Sequence, residues 1–378
     1  MGMALLPCIQ DRKPVATPQT SPIDNDTSLR LKLLRFAPII GVIYVHAYGK
    51  TTSYGSETIG RADVNALTDF IRVLISEGLG RIAVPLFFLM AGYLFFANLQ
   101  PTMEGYLAKM RSRVRTLFVP FIFWNALVLA IILLAQASPV TRPYFNEGAK
   151  LLSEGTPYKY LNALFGFTRY PVAYHFWFIR DLMVMVLLAP LFALILRYAA
   201  LPFYLAVYVC WVGNIWPVLV PGDASVFFFA AGAHFALKGK SLFALDRFGK
   251  AALAVYLPLL IIDVVWYEAW FNIYLHRTGL IAGVLVVLYA TKLIMRNERM
   301  TRWLVGLGGS SFFVYAAHEP LLGTLRTIAY RYLPLEGDFT MLLLYLGIPA
   351  LVMVLLVLLH RLLSLHFPRA LGWVSGGR

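Results

Sequence analysis

The sequence predicts an all-α fold: a polytopic membrane helix bundle of about ten transmembrane helices with both termini in the cytoplasm. Three observations predict it. The 378 residues are 60% hydrophobic and only 14% charged, with a mean hydropathy of +0.70; an ordinary soluble chain is about 25% charged. Apolar runs recur at lengths near the roughly 20 residues that cross about 30 Å of hydrocarbon. Lysines and arginines gather in alternate connections between those runs, as the positive-inside rule requires. The formal net charge of +14 is mostly this orientation signal and gives no reason to expect a nucleic-acid partner.

In chain order, residues 1–28 are polar and rich in Pro, Thr, Asp and Asn. They read as a disordered cytoplasmic tail. No apolar core followed by a small-residue cleavage site marks a signal peptide. Residues 29–367 form the transmembrane domain and 368–378 a second cytoplasmic tail. Ten apolar runs lie near 31–48, 79–98, 117–137, 175–196, 199–217, 223–237, 251–268, 278–295, 304–327 and 340–364. Pro202, Pro217 and Pro221 punctuate the fifth and sixth, and the sixth reads as either a crossing or a re-entrant segment. The basic connections hold Lys109, Arg111, Arg113 and Arg115, then Arg197, then Lys238, Lys240, Arg247 and Lys250, then Lys292, Arg296, Arg299 and Arg302. The intervening connections mix signs or are acidic. The two cysteines, Cys8 and Cys210, offer neither a disulfide framework nor metal spacing, and Cys210 reads as packing.

Ionisable side chains inside apolar runs are the functional signal, because such groups are costly in hydrocarbon, by roughly 2.5 kcal/mol or more for Arg. The first run, LLRFAPIIGVIYVHAYG at 33–49, carries Arg35 and His46. Eleven residues at 100° each bring both to one face of a continuous helix, about 16 Å apart along its axis. Taken singly, Arg35 is a snorkelling topology residue and His46 a histidine bonded to a neighbouring helix. Taken together, they outline a polar track from the cytoplasm inward, with phosphates at Arg35 and a general base at His46. Pro38 is placed to kink this helix.

Four further stretches follow. GRIAVPLFFLMAGYLFF at 80–96 begins with Arg81 before an aromatic run, and Ala91 with Gly92 permits close helix approach. RSRVRTLFVPF at 111–121 sets Arg111, Arg113 and Arg115 before a span; they read either as topology or as forks for phosphate. YHFWFIRDL at 174–182 brings His175, Trp177, Arg180 and Asp181 to the external mouth. Arg180 and Asp181, being adjacent, point about 100° apart and need not pair. GGSSFFVYAAHEPLL at 308–322 buries His318 and Glu319 in mid-span, either as an interhelical hydrogen bond or as site residues. Asp263 and Glu268 are weaker candidates.

These stretches together resemble the acyltransferase type 3 family of integral membrane acyltransferases. LRLKLLRFAPIIGVIYVHA resembles its first helix, with an arginine, ten intervening residues and a histidine. RIAVPLFFLMAGYLFF resembles its second helix, with Ala91 in place of the usual serine. YHFWFIRDLMVMVLLAPLF is similar to its His-x-Trp-Phe segment. GGSSFFVYAAHEPLL is similar to its late Ser-Phe-x-x-Tyr-x-x-His-Pro segment, with Glu319 inserted before the proline. Many members of that family carry two arginines separated by two residues after the second helix, and this chain departs from that pattern with Arg111, Arg113 and Arg115.

The resemblance implies a bacterial inner-membrane O-acyltransferase. Its co-substrate is acyl-CoA, with acetyl the commonest cargo. Its acceptor is a sugar hydroxyl of an exopolysaccharide or its lipid-linked repeat unit. It implies His46 as the base, Arg35, Arg111, Arg113 and Arg115 at the donor, and Arg81, His175, Trp177, Asp181, His318 and Glu319 as acceptor or supporting residues. Neither a metal nor a resident cofactor is implied. The residues alone also admit a proton-coupled transporter, since intramembrane His, Asp and Glu serve proton relays, or a non-catalytic sensor. Label transfer from acetyl-CoA to surface glycan separates these readings.

Overall fold

The computed structural model describes residues 23–54, 57–100, 102–142 and 155–377. Cys8 and residues 1–22 of the expected tail lie outside them. Of the described residues 78% are helical and 2% are in strands, so the all-α class holds.

The first helix starts earlier than expected. The Asp24 carboxylate accepts from Thr27 N at 2.6 Å and caps α1 (Asn25–Leu33). A carboxylate at this position satisfies one of the orphan N–H groups of the first turn. The boundary drawn at residue 28 therefore falls inside a helix in which Thr27 is buried. The expected continuous helix over 31–48 is broken: residues 34–36 form a turn, and α2 (Ala37–His46) begins anew with Pro38 in its first turn. Proline lacks the N–H that would continue the upstream ladder and suits a first turn. The phase argument that put Arg35 and His46 on one face does not carry across this break.

A short hairpin that the sequence did not announce follows, β1 (Thr51–Tyr54) paired antiparallel with β2 (Glu57–Gly60), Thr51 opposite Gly60. Gly60 has φ +106°, and a Cβ there would lie 2.4 Å from Lys50 O. The next helices are longer than their apolar cores: α3 (Ala66–Phe96) and α4 (Met103–Ala137). After α5 (Pro157–Phe165), α6 (Trp177–Leu187) and α7 (Ala189–Tyr198) replace the single span expected at 175–196. The pair bends by 64°, and Pro190 in the first turn of α7 explains the break.

α8 (Ala200–Val212) and α9 (Asp223–Leu237) have 13 and 15 residues. At 1.5 Å per residue each is shorter than the roughly 30 Å hydrocarbon core. Then come α10 (Leu242–Val265), α11 (Asn272–Ile294), α12 (Glu298–Leu307), α13 (Ser311–Tyr332), α14 (Asp338–His366) and α15 (Pro368–Val374). Among the described residues, α3, α4, α10, α11 and α14 are long and apolar enough to cross a membrane, and the bent α6–α7 pair makes a sixth.

The bundle is pinned at both ends of the chain. Arg30 is buried, with Nη1 and Nη2 both 2.8 Å from the Asp246 carboxylate, Nε 2.7 Å from Thr291 Oγ1, and its guanidinium 3.8 Å from the centre of the Phe243 ring. The expected C-terminal tail is in part a docked helix. Trp124 Nε1 donates to Val374 O at 3.0 Å, and Leu371 is buried. Between these ends, Gly92 of α3 and Gly232 of α9 allow near-contact of backbones: a Cβ on Gly92 would lie 2.0 Å from Phe229 O, and one on Gly232 1.9 Å from Leu89 O.

Candidate active site

Three segments far apart in sequence converge at one point. His46 is the last residue of α2, Tyr174 and His175 sit in the 3₁₀ turn Tyr174–Phe176 before α6, and His318 and Glu319 lie in α13. The ring centres are 5.2 Å apart for His46 and His318, 4.9 Å for His175 and His318, and 6.3 Å for His46 and His175. His175 and His318 are buried, whereas His46 is half-buried.

The hydrogen bonds fix where each imidazole carries its proton. His175 Nε2 faces Ala316 O at 3.1 Å and His318 Nδ1 faces Tyr315 O at 2.6 Å. A carbonyl oxygen only accepts, so each of these nitrogens donates and the other ring nitrogen is a bare acceptor. His175 Nδ1 and His318 Nε2 are both buried without a hydrogen-bond partner among the described residues, and so is Glu319 Oε2. Buried polar atoms are normally satisfied, so orphans clustered in this way mark a place where a bound group belongs. Among the described residues no group of three or more His, Cys, Asp or Glu is placed to hold a metal ion. Bare imidazole nitrogens call for O–H donors, the chemistry of a polyol.

His46 is held from two sides. Its Nδ1 is 2.8 Å from Tyr174 Oη, which in turn donates to Glu319 Oε1 at 2.7 Å. Arg326 Nη1 donates to the His46 carbonyl at 3.3 Å. Neither Tyr174 nor Arg326 stood out in the sequence. Tyr174 was legible only as the neighbour of His175, and Arg326 lies two turns beyond the HEP of residues 318–320.

The remaining candidates divide. Arg81 makes a two-point ion pair with Glu77, at 2.7 and 3.0 Å. Arg35 is exposed and lies along Gly308: a Cβ there would be 3.6 Å from Arg35 Cδ. His318 is ten residues farther on, so Arg35 and His46 mark two points about 15 Å apart along the Gly308–Tyr332 segment. The axial separation inferred for one helix thus survives through packing against another.

Arg111 and Arg115 are exposed and Arg113 half-buried, where α4 changes from α to a wider π turn at Val114–Phe118. Trp177 packs its ring near Phe88, with centres 6.4 Å apart. Asp181 is not part of the histidine cluster. It pairs with the adjacent Arg180 at 3.1 Å, and it accepts from Gly222 N at 2.8 Å and Ser225 Oγ at 3.3 Å. Arg180 reaches back because its Nη1 is anchored on the Gly166 and Arg169 carbonyls at 2.6 and 2.7 Å. Asp263 pairs with His276 at 2.9 Å and with Asn272, between α10 and α11.

The family model described as an acyltransferase domain matches residues 29–362, and the chain belongs to that family. The chain is also similar to the succinoglycan biosynthesis protein ExoH of Rhizobium meliloti (strain 1021), 26% identical over 376 residues that cover 94% of each chain. No solved structure matches it significantly.

Proposed function

We propose that this member of the acyltransferase domain family is a membrane O-acyltransferase. It moves an acyl group, acetyl in the first instance, from acyl-CoA to a sugar hydroxyl of an exopolysaccharide or its lipid-linked repeat unit. The observation that carries this reading is the convergence of His46, His175 and His318 from three separate segments, with unsatisfied acceptor nitrogens on the two buried rings. Similarity to a succinoglycan biosynthesis protein supports a polysaccharide acceptor. On this reading the chain crosses a bacterial inner membrane ten times with both termini inside, α8 and α9 counted as short crossings.

The mechanism follows from the positions. Arg35, Arg111, Arg113 and Arg115 hold the nucleotide phosphates of acyl-CoA at the cytoplasmic rim, as guanidinium forks match phosphate oxygens. The pantetheine arm lies inward toward His46. His175 Nδ1 and His318 Nε2 accept hydrogen bonds from acceptor hydroxyls, and Trp177 offers a ring face to the sugar. His46 takes the proton of the attacking hydroxyl as its oxygen forms the ester bond to the thioester carbonyl carbon. The C–S bond breaks, and His46 returns the proton to the departing thiolate. No net proton is released. General-base catalysis of this kind contributes about 10²–10⁴-fold, and orientation in a site with little water supplies the rest.

The test is label transfer. Membranes containing the protein, given radiolabelled acetyl-CoA and de-esterified surface polysaccharide, should yield labelled polysaccharide that releases label on mild alkali. The His46→Ala variant should insert normally and transfer no label. A carrier would leave the polysaccharide unlabelled, and a His46→Ala rate near wild type would remove His46 from the mechanism.

A further inference from the structure

The geometry points to Tyr174 as a positioning residue that, with Glu319 behind it, fixes the His46 proton on Nδ1 and so leaves Nε2 as the base. This deepens the acyltransferase reading and rests on it. The inference comes from hydrogen-bond direction. Tyr174 Oη has one proton. The Glu319 carboxylate, 2.7 Å away, can only accept when ionised, so the phenol proton points there. The phenol oxygen then has lone pairs for His46, and the 2.8 Å contact must be His46 Nδ1–H donating to Tyr174 Oη. Nε2 is left with its lone pair, and no described residue hydrogen-bonds to it.

This is the logic of a base oriented by a third group, with a phenol inserted between carboxylate and imidazole. The inserted ring has a structural reason. Glu319 sits in α13 and His46 at the end of α2, and Tyr174 comes from the turn before α6, so the chain of bonds ties three elements together behind the reacting imidazole. Arg326 supports the same geometry by holding the His46 carbonyl. When His46 accepts the hydroxyl proton at Nε2, the charge that develops on the ring is met at Nδ1 by a phenol oxygen already hydrogen-bonded to a carboxylate. No atom has to move for that stabilisation to act, which is the condition under which fixed dipoles contribute most.

The experiment uses the full chain in lipid nanodiscs, labelled with ¹⁵N-histidine, with the His46 signals assigned by their loss in His46→Gln. In the wild type the His46 ring should be protonated at Nδ1. Tyr174→Phe removes only the acceptor oxygen and should shift the proton to Nε2, while the His175 and His318 signals stay in place. In the label-transfer assay the same variant should lose about tenfold or more in kcat, a part of the general-base contribution, with KM for acetyl-CoA unchanged. Glu319→Gln keeps an oxygen that can accept from the phenol, so it should preserve the Nδ1 tautomer. Glu319→Leu should not.

Protonation of His46 at Nε2 in the wild type overturns the proposal, as does an unchanged His46 tautomer in Tyr174→Phe. So does a Tyr174→Phe kcat within twofold of wild type. These outcomes are separable from failure of the acyltransferase reading, because the tautomer is read without substrate. If His46→Ala abolishes transfer while Tyr174→Phe does not alter it, the base stands and the relay falls.

Discussion

Gly41 and Gly80 touch backbone to backbone where α2 crosses the start of the apolar part of α3. A Cβ on Gly41 would lie 3.1 Å from Gly80 Cα, and one on Gly80 would lie 2.8 Å from Val45 Cγ2 and 2.9 Å from Gly41 O. The contact is five residues before His46 and one before Arg81. Two glycines thus set how closely the His46 helix approaches the Glu77–Arg81 pair, as small residues do wherever membrane helices pack without a hydrophobic driving force.

Gly80→Val should therefore lower thermal stability in detergent micelles, by about 1–3 kcal/mol if it behaves as overpacking in a filled interior. It should also reduce acyl transfer, since α2 can make room only by moving His46. Gly306→Ala is the control, because nothing lies within 4 Å of a Cβ there. Equal melting midpoints for both variants would show that the glycine contact does not hold the two segments in place.

Much of this site was legible in the sequence. His46, His175 and His318 each stand in an apolar stretch where an imidazole needs a reason, and the structure gathers all three. What could not be read was direction. A continuous first helix was inferred from hydropathy, which is blind to the break at 34–36, and the Arg35–His46 separation survives only because α13 lies alongside. Tyr174 escaped notice because a tyrosine before a span has the ready explanation of an interfacial ring; its role depends on which atoms meet it from helices more than a hundred residues away in sequence. Arg30 escaped for the opposite reason. A positive charge beside the first apolar run needs no explanation beyond membrane orientation, and its partner Asp246 is 216 residues distant. The hairpin at Thr51–Gly60 is too short and polar to leave a periodic trace.

Asp181 is predicted to matter for folding and not for substrate. Its carboxylate takes hydrogen bonds from Arg180, Gly222 and Ser225, and the residue is 1% exposed. Removing one partner of a buried pair leaves the other charge uncompensated, at a cost of about 3–5 kcal/mol. Asp181→Ala should reduce the yield of folded protein and its melting temperature, with KM for acetyl-CoA unchanged in what survives. Wild-type stability combined with a raised KM for the polysaccharide would return Asp181 to the acceptor site.

Arg30 and Asp246 should behave as a unit. Arg30→Met leaves the Asp246 carboxylate without its fork, and Asp246→Leu leaves the buried guanidinium with Thr291 Oγ1 and the Leu288 carbonyl but without its carboxylate. The double variant removes both charges and keeps apolar volume. Its loss of stability should therefore be smaller than the sum of the two single losses by 0.5–3 kcal/mol, about the range for residues in one network. Thermal unfolding of the four proteins in the same detergent gives the cycle, and strict additivity would mean that the pair contributes as two independent charges.

Arg111 and Arg115 make the opposite case, because they are exposed and no ion pair with an acidic residue is recorded for either among the described residues. Charges so placed add little to stability and are free to meet an anion. Arg111→Gln with Arg115→Gln should leave the melting temperature where it was. If the pair binds donor phosphates, KM for acetyl-CoA should rise about tenfold or more, since hydrogen bonds to charged groups are among the stronger ones, while kcat at saturating donor stays near wild type. Raising the salt concentration should narrow the gap between variant and wild type, because exposed ionic contacts are screened within about 10 Å at 0.1 M. Orientation in the membrane has to be checked in the same preparation by accessibility of an engineered C-terminal tag. An inverted fraction would mean that these arginines act through topology, and correctly oriented protein with an unaltered KM would mean that the phosphates sit elsewhere.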